Sequence, residues 1–215
     1  VTSLSISPRL MPKSQQPYAN ILITGAGGSA SSNVIDSLNL APEKINIIGA
    51  DISPKRLHLS QAETKFILPP CTDSTYLDQL NIAIDRLKAD VLHPQPDPEV
   101  TFIGENREKI SANVFLPTNA ALRLAGDKAI FADTMAKVGV ATPLSTDFSS
   151  IDDVFEKTRL LLESYEKIWI RARQGEGSRA SLPVSTPEQA VAWVLWWSDE
   201  RNLEPSDFMG SEFLP

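Results

Sequence analysis

The chain has 215 residues, 42% hydrophobic and 22% charged, which is enough to bury a core in one large domain or two small ones. A formal charge of −7 argues against nonspecific nucleic-acid binding, which needs lysine and arginine patches facing phosphates. Cys71 is the single cysteine and excludes an internal disulfide; it reads as a buried or half-buried thiol, and with His58 and His93 it shows no zinc-type spacing. No apolar run approaches the ~18 residues of a membrane span, and the N-terminus lacks a signal-peptide core. The expectation is a cytoplasmic protein with no membrane partner.

Residues 1–19 are polar, Ser- and Pro-rich and aperiodic, and read as a disordered leader. Met11 is the first methionine, leaving residues 1–10 either upstream of the natural start or the result of processing. Order begins with a short apolar strand at 21–24, a Gly-rich turn and a helix at 31–38. Strands follow at 45–51 and 65–68. Leu77, Leu80, Ile84 and Leu87 recur at helical spacing and predict a helix over 76–88. A strand at 90–93, a Pro-rich turn at 94–98, a helix at 99–109 and a strand at 114–116 complete a first region, 20–117. Strands alternating with helices predict an α/β, Rossmann-like parallel sheet covered on both faces.

The second region, 118–215, has a different rhythm. A helix is expected over 127–138, with Asp127 at the N-cap, Gly139 just past the end and Pro143 beyond. A helix at 151–165 and a strand at 167–172 follow, then a Gly-containing loop and the segment 181–184. Thr186-Pro-Glu-Gln189 resembles a capping box with proline at the first helical position. It opens a helix whose Trp193, Trp196 and Trp197 read as core packing at helical spacing. The last strand is expected at 207–214.

Three segments carry chemistry. Gly25-Ala-Gly-Gly-Ser-Ala30 fits G-x-G-x-x-A between a strand and a helix. Glycines there allow a tight turn and close approach, and the helix N-terminus offers N–H groups to an anion. Asp51, ending the second strand, is placed to accept a ribose hydroxyl. Arg171-Ala-Arg-Gln-Gly-Glu-Gly-Ser-Arg179 joins two strands through a glycine-rich tip that can fold over phosphates, with Arg171 able to hold one bidentately. Gly126-Asp-Lys128 puts a lysine at a helix N-terminus, where a cation is favourable only beside an anion.

Taken together these residues resemble the ATP-grasp superfamily. Asp127-Lys128 followed by Gly139-Val-Ala-Thr-Pro143 is similar to its D-K … G-V-x-x-P segment, and the stretch from Ile168 to Ser178 to its I-K-P-x-x-G-x-G-S strand and flap. Glu212-Phe-Leu-Pro215 resembles the start of its E-Y-L-x-G-x-E hinge. Upstream, the Gly25 loop, Gly49-Ala-Asp51 and Asp97-Pro-Glu99 resemble the domain that precedes it in members like the carbamoyl-phosphate synthase large subunit. The resemblance implies a Rossmann-like domain and then linker helices with a small α+β ATP-grasp subdomain. It implies ATP held by Lys128, Arg171, Arg173, Gly175, Glu176, Gly177, Ser178, Glu212, Phe213 and Leu214, with Arg171 also catalytic. It implies a small-molecule carboxylate activated as an acyl phosphate and attacked by an amine or ammonia. Gly25, Gly27, Gly28, Ser29, Asp51, Asp97 and Glu99 would face that acceptor. The family's Mg²⁺ ligands lie beyond the hinge motif, so no metal ligand is expected within this chain. The chain alone is expected to bind ATP weakly without turnover, completed by a homodimer or a complementary chain. Two other readings stay open: an NAD(P)-dependent oxidoreductase or epimerase using the Gly25 loop and Asp51, and a non-catalytic nucleotide- or amino-acid-binding module.

Overall fold

A computed structural model describes residues 18–175 and 180–214. The expected leader lies almost wholly outside them. The chain divides into two compact units, with the break between Pro117 and Thr118.

The first unit is a five-stranded parallel sheet. In chain order it holds β1 (Ala19–Thr24), α1 (Ser29–Asn39), β2 (Ile45–Asp51), α2 (Pro54–Leu57), β3 (Thr64–Ile67), α3 (Tyr76–Leu87), β4 (Val91–His93), α4 (Asp97–Glu105), a 3-10 turn (Arg107–Lys109) and β5 (Asn113–Val114). The strand order is β3-β2-β1-β4-β5, all neighbours parallel. Alternation along the strands gives each face its own core. Leu22, Ile48 and Leu92 stand in register on one face, with Tyr76, Leu80, Ile84 and Ile103 packed against them. Ile23, Ile47, Ile35 and Ala62 fill the other.

The helices depart from the sequence pattern in physical detail. In α3 the buried row is Tyr76, Leu80 and Ile84, and the helix ends at Lys88, which adopts a left-handed φ of 55°. Helix α4 starts two residues before the expected position, at Asp97, because Pro98 in a first turn has no N–H that the helix needs. It stops at Glu105, and the rest of the expected helix is the 3-10 turn. Helix α2 is a single turn capped by Ser53, whose hydroxyl accepts from the Arg56 N–H at 3.3 Å.

The second unit is a four-stranded antiparallel sheet with helices. It contains α5 (Asn119–Gly126), α6 (Lys128–Lys137), β6 (Ser145–Asp147), α7 (Ile151–Leu162), β7 (Ile168–Ala172), β8 (Leu182–Val184), α8 (Pro187–Arg201), a 3-10 turn (Pro205–Asp207) and β9 (Phe208–Glu212). The order is β6-β9-β7-β8. Ile168, Ile170, Ala172 and Phe208 point to a core closed by Val154 of α7 and by Ala190 and Val194 of α8. Thr186 caps α8 through the Gln189 N–H, while the Gln189 side chain accepts from Ser185 N–H, one residue before the position a capping box would use. Trp193 and Trp197 pack against the core as expected. Trp196 does not: it is 48% exposed, stacked on Trp193 and edge-on to Trp197.

Candidate functional site

In the first unit, Thr24 and His93 end the strands flanking the point where strand order reverses, between β1 and β4. Ligands of open parallel sheets bind outside that end. The Gly25 loop stands there, and its glycines answer to protein packing. Gly25 has φ +59°, and an added Cβ would lie 2.6 Å from Pro96 Cγ; at Gly27 it would lie 2.1 Å from the Arg56 carbonyl oxygen of α2. The loop amides are engaged from within: Ala26 N–H donates to Ala50 O at 2.9 Å, and Gly28 N–H to Gly25 O at 2.9 Å. Gly27 N–H donates to Asp51 Oδ2 at 3.1 Å. The other Asp51 oxygen accepts from Ser53 N–H at 2.8 Å, so this buried carboxylate ties β1, β2 and the entry to α2 together. Gly28, the N-cap of α1, with the exposed Ser29 and Asp97, forms the open rim.

Glu99 lies inside, 5% exposed, near the hydroxyls of Thr24 and Tyr76. Burial pushes its pKa up. The two hydroxyls pull it partly back, and the Asp51 charge adds to the rise. Thr24 Oγ1, Tyr76 Oη and Glu99 Oε2 are close without reaching full hydrogen-bond geometry. Burial also drives Tyr76 far above an ordinary phenol, with the Glu99 charge adding to it, and holds the Cys71 thiol up. Of this cluster the sequence singled out Glu99 and Asp51; Thr24 and Tyr76 gave no signal, being apolar-pattern positions of a strand and a helix.

In the second unit, Asp127, Lys128, Arg173 and Gly175 come together just past the end of β7, the strand that carries Arg171. Asp127 caps α6: its Oδ1 accepts from Ala129 N–H at 3.0 Å and Ile130 N–H at 3.2 Å. The same carboxylate takes a fork from Arg173, Nε to Oδ1 at 3.2 Å and Nη2 to Oδ2 at 2.8 Å. Burial opposes ionisation of Asp127, but the Arg173 guanidinium and the two amides outweigh it and hold the carboxyl below its usual value. Arg173 Nη1 reaches Ser206 O at 3.4 Å, and Arg173 N–H donates to Asp207 O at 2.8 Å. Lys128 approaches from the other side: its N–H donates to Arg173 O at 3.0 Å, and its Nζ to Arg173 O at 3.3 Å and Gly175 O at 2.7 Å.

Arg171 differs from Arg173. It stands in register with Met209, on the sheet face opposite the Ile168–Ile170 core. Its Nε is buried without a hydrogen-bond partner, and desolvation lowers its pKa. Trp169, on the same face, has its ring 5.6 Å from that of Phe213. Glu212 N–H donates to Leu144 O at 2.8 Å, pinning the end of β9 to the lead-in of β6, and Leu214 is 60% exposed. Gly175 has φ +94° with open space where a Cβ would stand. Glu176, Gly177 and Ser178 lie outside the described residues. Two clefts flank this cluster. One of about 490 Å³ is lined by Asp127, Arg173, Gln174, Gly175 and Asp207. The other, about 630 Å³, runs between α6 and β6 and includes Ile130, Leu144, Tyr165, Arg173 and Glu212.

The sequence matches no protein-family model and no curated protein. The fold matches solved structures. N5-carboxyaminoimidazole synthetase from Staphylococcus aureus, complexed with ADP, has a TM-score of 0.60 at 16% identity, covering 93% of this chain and 48% of that one. The biotin carboxylase domain dimer of 2-oxoglutarate carboxylase from Hydrogenobacter thermophilus, in complex with MgADP, ADP and bicarbonate, gives 0.61 at 17%, with 93% and 45% covered. L-amino acid ligase from Bacillus licheniformis gives 0.63 at 11%, again with 93% and 45%. At these identities the likeness establishes the fold alone. The chain spans a little under half the length of these structures.

Proposed function

We propose that this chain is a nucleotide-holding part of an ATP-grasp carboxylate–amine (or ammonia) ligase. The observation that carries the reading is Arg171, a half-buried side chain whose Nε is cut off from solvent. A cation whose Nε has lost water and found no protein partner is unfavourable unless an anion completes it. Lys128, one strand end away, adds a second cation over the Gly175 turn. The two together suit a polyphosphate, with Trp169, Phe213 and Leu214 offering apolar surface to a base. The likeness to ADP-bound structures agrees with this choice of ligand.

Bound ATP would supply the phosphoryl group that activates the carboxylate as an acyl phosphate. This chain's own part is to place it: Arg171 and Lys128 neutralise charge, and β9 with Glu212, Phe213 and Leu214 sets the edge against which the base lies. Within that proposal the chain resembles carbamoyl-phosphate-synthase-type members, works on small molecules in the cytoplasm, and draws its acceptor to the rim formed by Gly28, Ser29 and Asp97. Mg²⁺ belongs to such chemistry. Among the described residues no three His, Cys, Asp or Glu stand close enough to hold an ion. In this proposal the chain alone binds nucleotide without turnover. No described helix is long and apolar enough to cross a membrane.

The oxidoreductase reading loses its main support. Asp51 already bonds two amides, and the glycines it needs for pyrophosphate are packed against Pro96 and α2. ADP calorimetry on the wild-type chain and Arg171→Ala tests the proposal. Losing a charge-assisted hydrogen bond should weaken binding by about 1.5–3 kcal/mol. Equal ADP affinity in both proteins, or stabilisation by NAD that Arg171→Ala leaves intact, would count against it.

A further inference from the structure

The resemblance places Arg173 among the phosphate ligands, but its geometry suits another task. Its three guanidinium nitrogens all point at protein acceptors: two at the Asp127 carboxylate, one at Ser206 O. Its main chain is engaged as fully, the N–H by Asp207 O and the carbonyl by both nitrogens of Lys128. Asp127 meanwhile immobilises the first turn of α6, the turn from which Lys128 projects. The fork and the Lys128–Arg173 bonds therefore close a ring, in which the helix start fixes the carboxylate, the carboxylate fixes Arg173, and the Arg173 carbonyl fixes the lysine. A bidentate pair sets direction as well as distance, which a single lysine–carboxylate contact does not.

We propose that Arg173 and Asp127 are positioning residues, an ion-pair latch that sets where the Lys128 ammonium stands at the base of the Gly175 turn, so that a nucleotide phosphate meets a cation already in place. This rests on the nucleotide reading above. Neither residue touches the ligand; they act through Lys128, and a pre-placed cation binds an anion without first being ordered.

The test separates the latch from the cap. Asp127→Asn keeps an N-cap oxygen but loses the charge of the fork. Hydrogen exchange is read amide by amide on the full 215-residue chain, together with ADP titration by calorimetry. The expected result is that the Lys128 and Arg173 amides exchange at least about tenfold faster. The Ala129 and Ile130 amides should stay protected, and ADP should bind about tenfold more weakly. Arg173→Gln, which leaves Asp127 and its cap intact, should reproduce all three, and Arg173→Lys should recover only part. Unchanged exchange at Lys128 in both variants would overturn the latch. Faster exchange with unchanged ADP affinity would overturn the positioning role, as would loss of the cap amides to the same degree as Lys128. A wild-type chain that gives no ADP binding would overturn the nucleotide reading and with it the purpose assigned to the latch, while exchange would still decide whether the latch holds.

Discussion

The two glycine-rich segments of this chain look alike as strings and differ as structures. In the first unit the glycines of the Gly25 loop are close-packed against Pro96 and the main chain of α2, and the nearby carboxylates are turned inward. In the second, Gly175 takes a left-handed φ with no described neighbour where a Cβ would stand, and its carbonyl accepts from the Lys128 ammonium. A glycine-rich turn thus reports a backbone need, and its neighbours decide whether protein or ligand fills the space.

The sharpest way to break this comparison is Gly27→Ala. The new methyl would meet the Arg56 main chain, which cannot swing aside as a side-chain tip can. Destabilisation of about 2–4 kcal/mol is expected in calorimetric unfolding; a loss under about 0.5 kcal/mol would mean α2 is not held against the loop. Next is Asp127→Ala, which removes both cap and fork. The cap alone is worth about 1–2 kcal/mol. Because the folded carboxyl lies below its ordinary value of 3.8, its contribution is present above that pH and is lost as pH falls below it. A variant and wild type that differ equally at pH 7 and pH 2 would contradict that assignment.

Glu99→Gln moves stability the other way. The folded pKa is above the ordinary glutamate value of 4.5, so the unfolded chain gives up this proton first as pH rises. Wild type therefore loses stability upward from about that pH until the folded group also ionises, at about 1.4 kcal/mol for each tenfold difference in proton affinity. The glutamine variant should lack that decline and be the more stable protein at neutral pH by urea titration; parallel pH profiles would remove the buried-carboxyl account. Smallest is Gly175→Ala, with no steric neighbour among the described residues and the left-handed φ to oppose it. It should cost about 1 kcal/mol or a little more, and a loss as large as that of Gly27→Ala would erase the distinction between the two loops.

How far the sequence discloses all this depends on the length scale of each cause. The parallel sheet was legible because β1, β2 and β4 are apolar runs separated by helical periodicity. Helix α6 was legible because Asp127, Gly139 and Pro143 punctuate it locally. Strand β6 was not: Ser-Thr-Asp carries no alternation, and it is a strand only because β9 pairs with it. Helix α5 was not either: capped by Thr118, it is eight residues long, too short for its apolar positions to recur over several turns. In the candidate site, Lys128 and Arg171 were singled out from motif spacing. The Asp127–Arg173 fork spans 46 positions and Asp51's bond to the Gly27 amide 24. Such pairings are set by the fold, and no local pattern announces them. Trp196 shows the converse: helical spacing suggested burial, yet the helix turns that indole outward.

The placement of the indoles has a consequence for anyone watching this protein unfold. All four tryptophans, Trp169, Trp193, Trp196 and Trp197, belong to the second unit, while the first is marked by Tyr76 alone among its buried aromatic hydroxyls. Tryptophan emission is therefore a one-sided witness. A melting curve followed by that light would show neither the loss from Gly27→Ala nor the gain from Glu99→Gln if the units come apart separately, and would register both if they melt together. Overlaying an emission trace on far-ultraviolet dichroism turns that blindness into a gauge of cooperativity between the two halves.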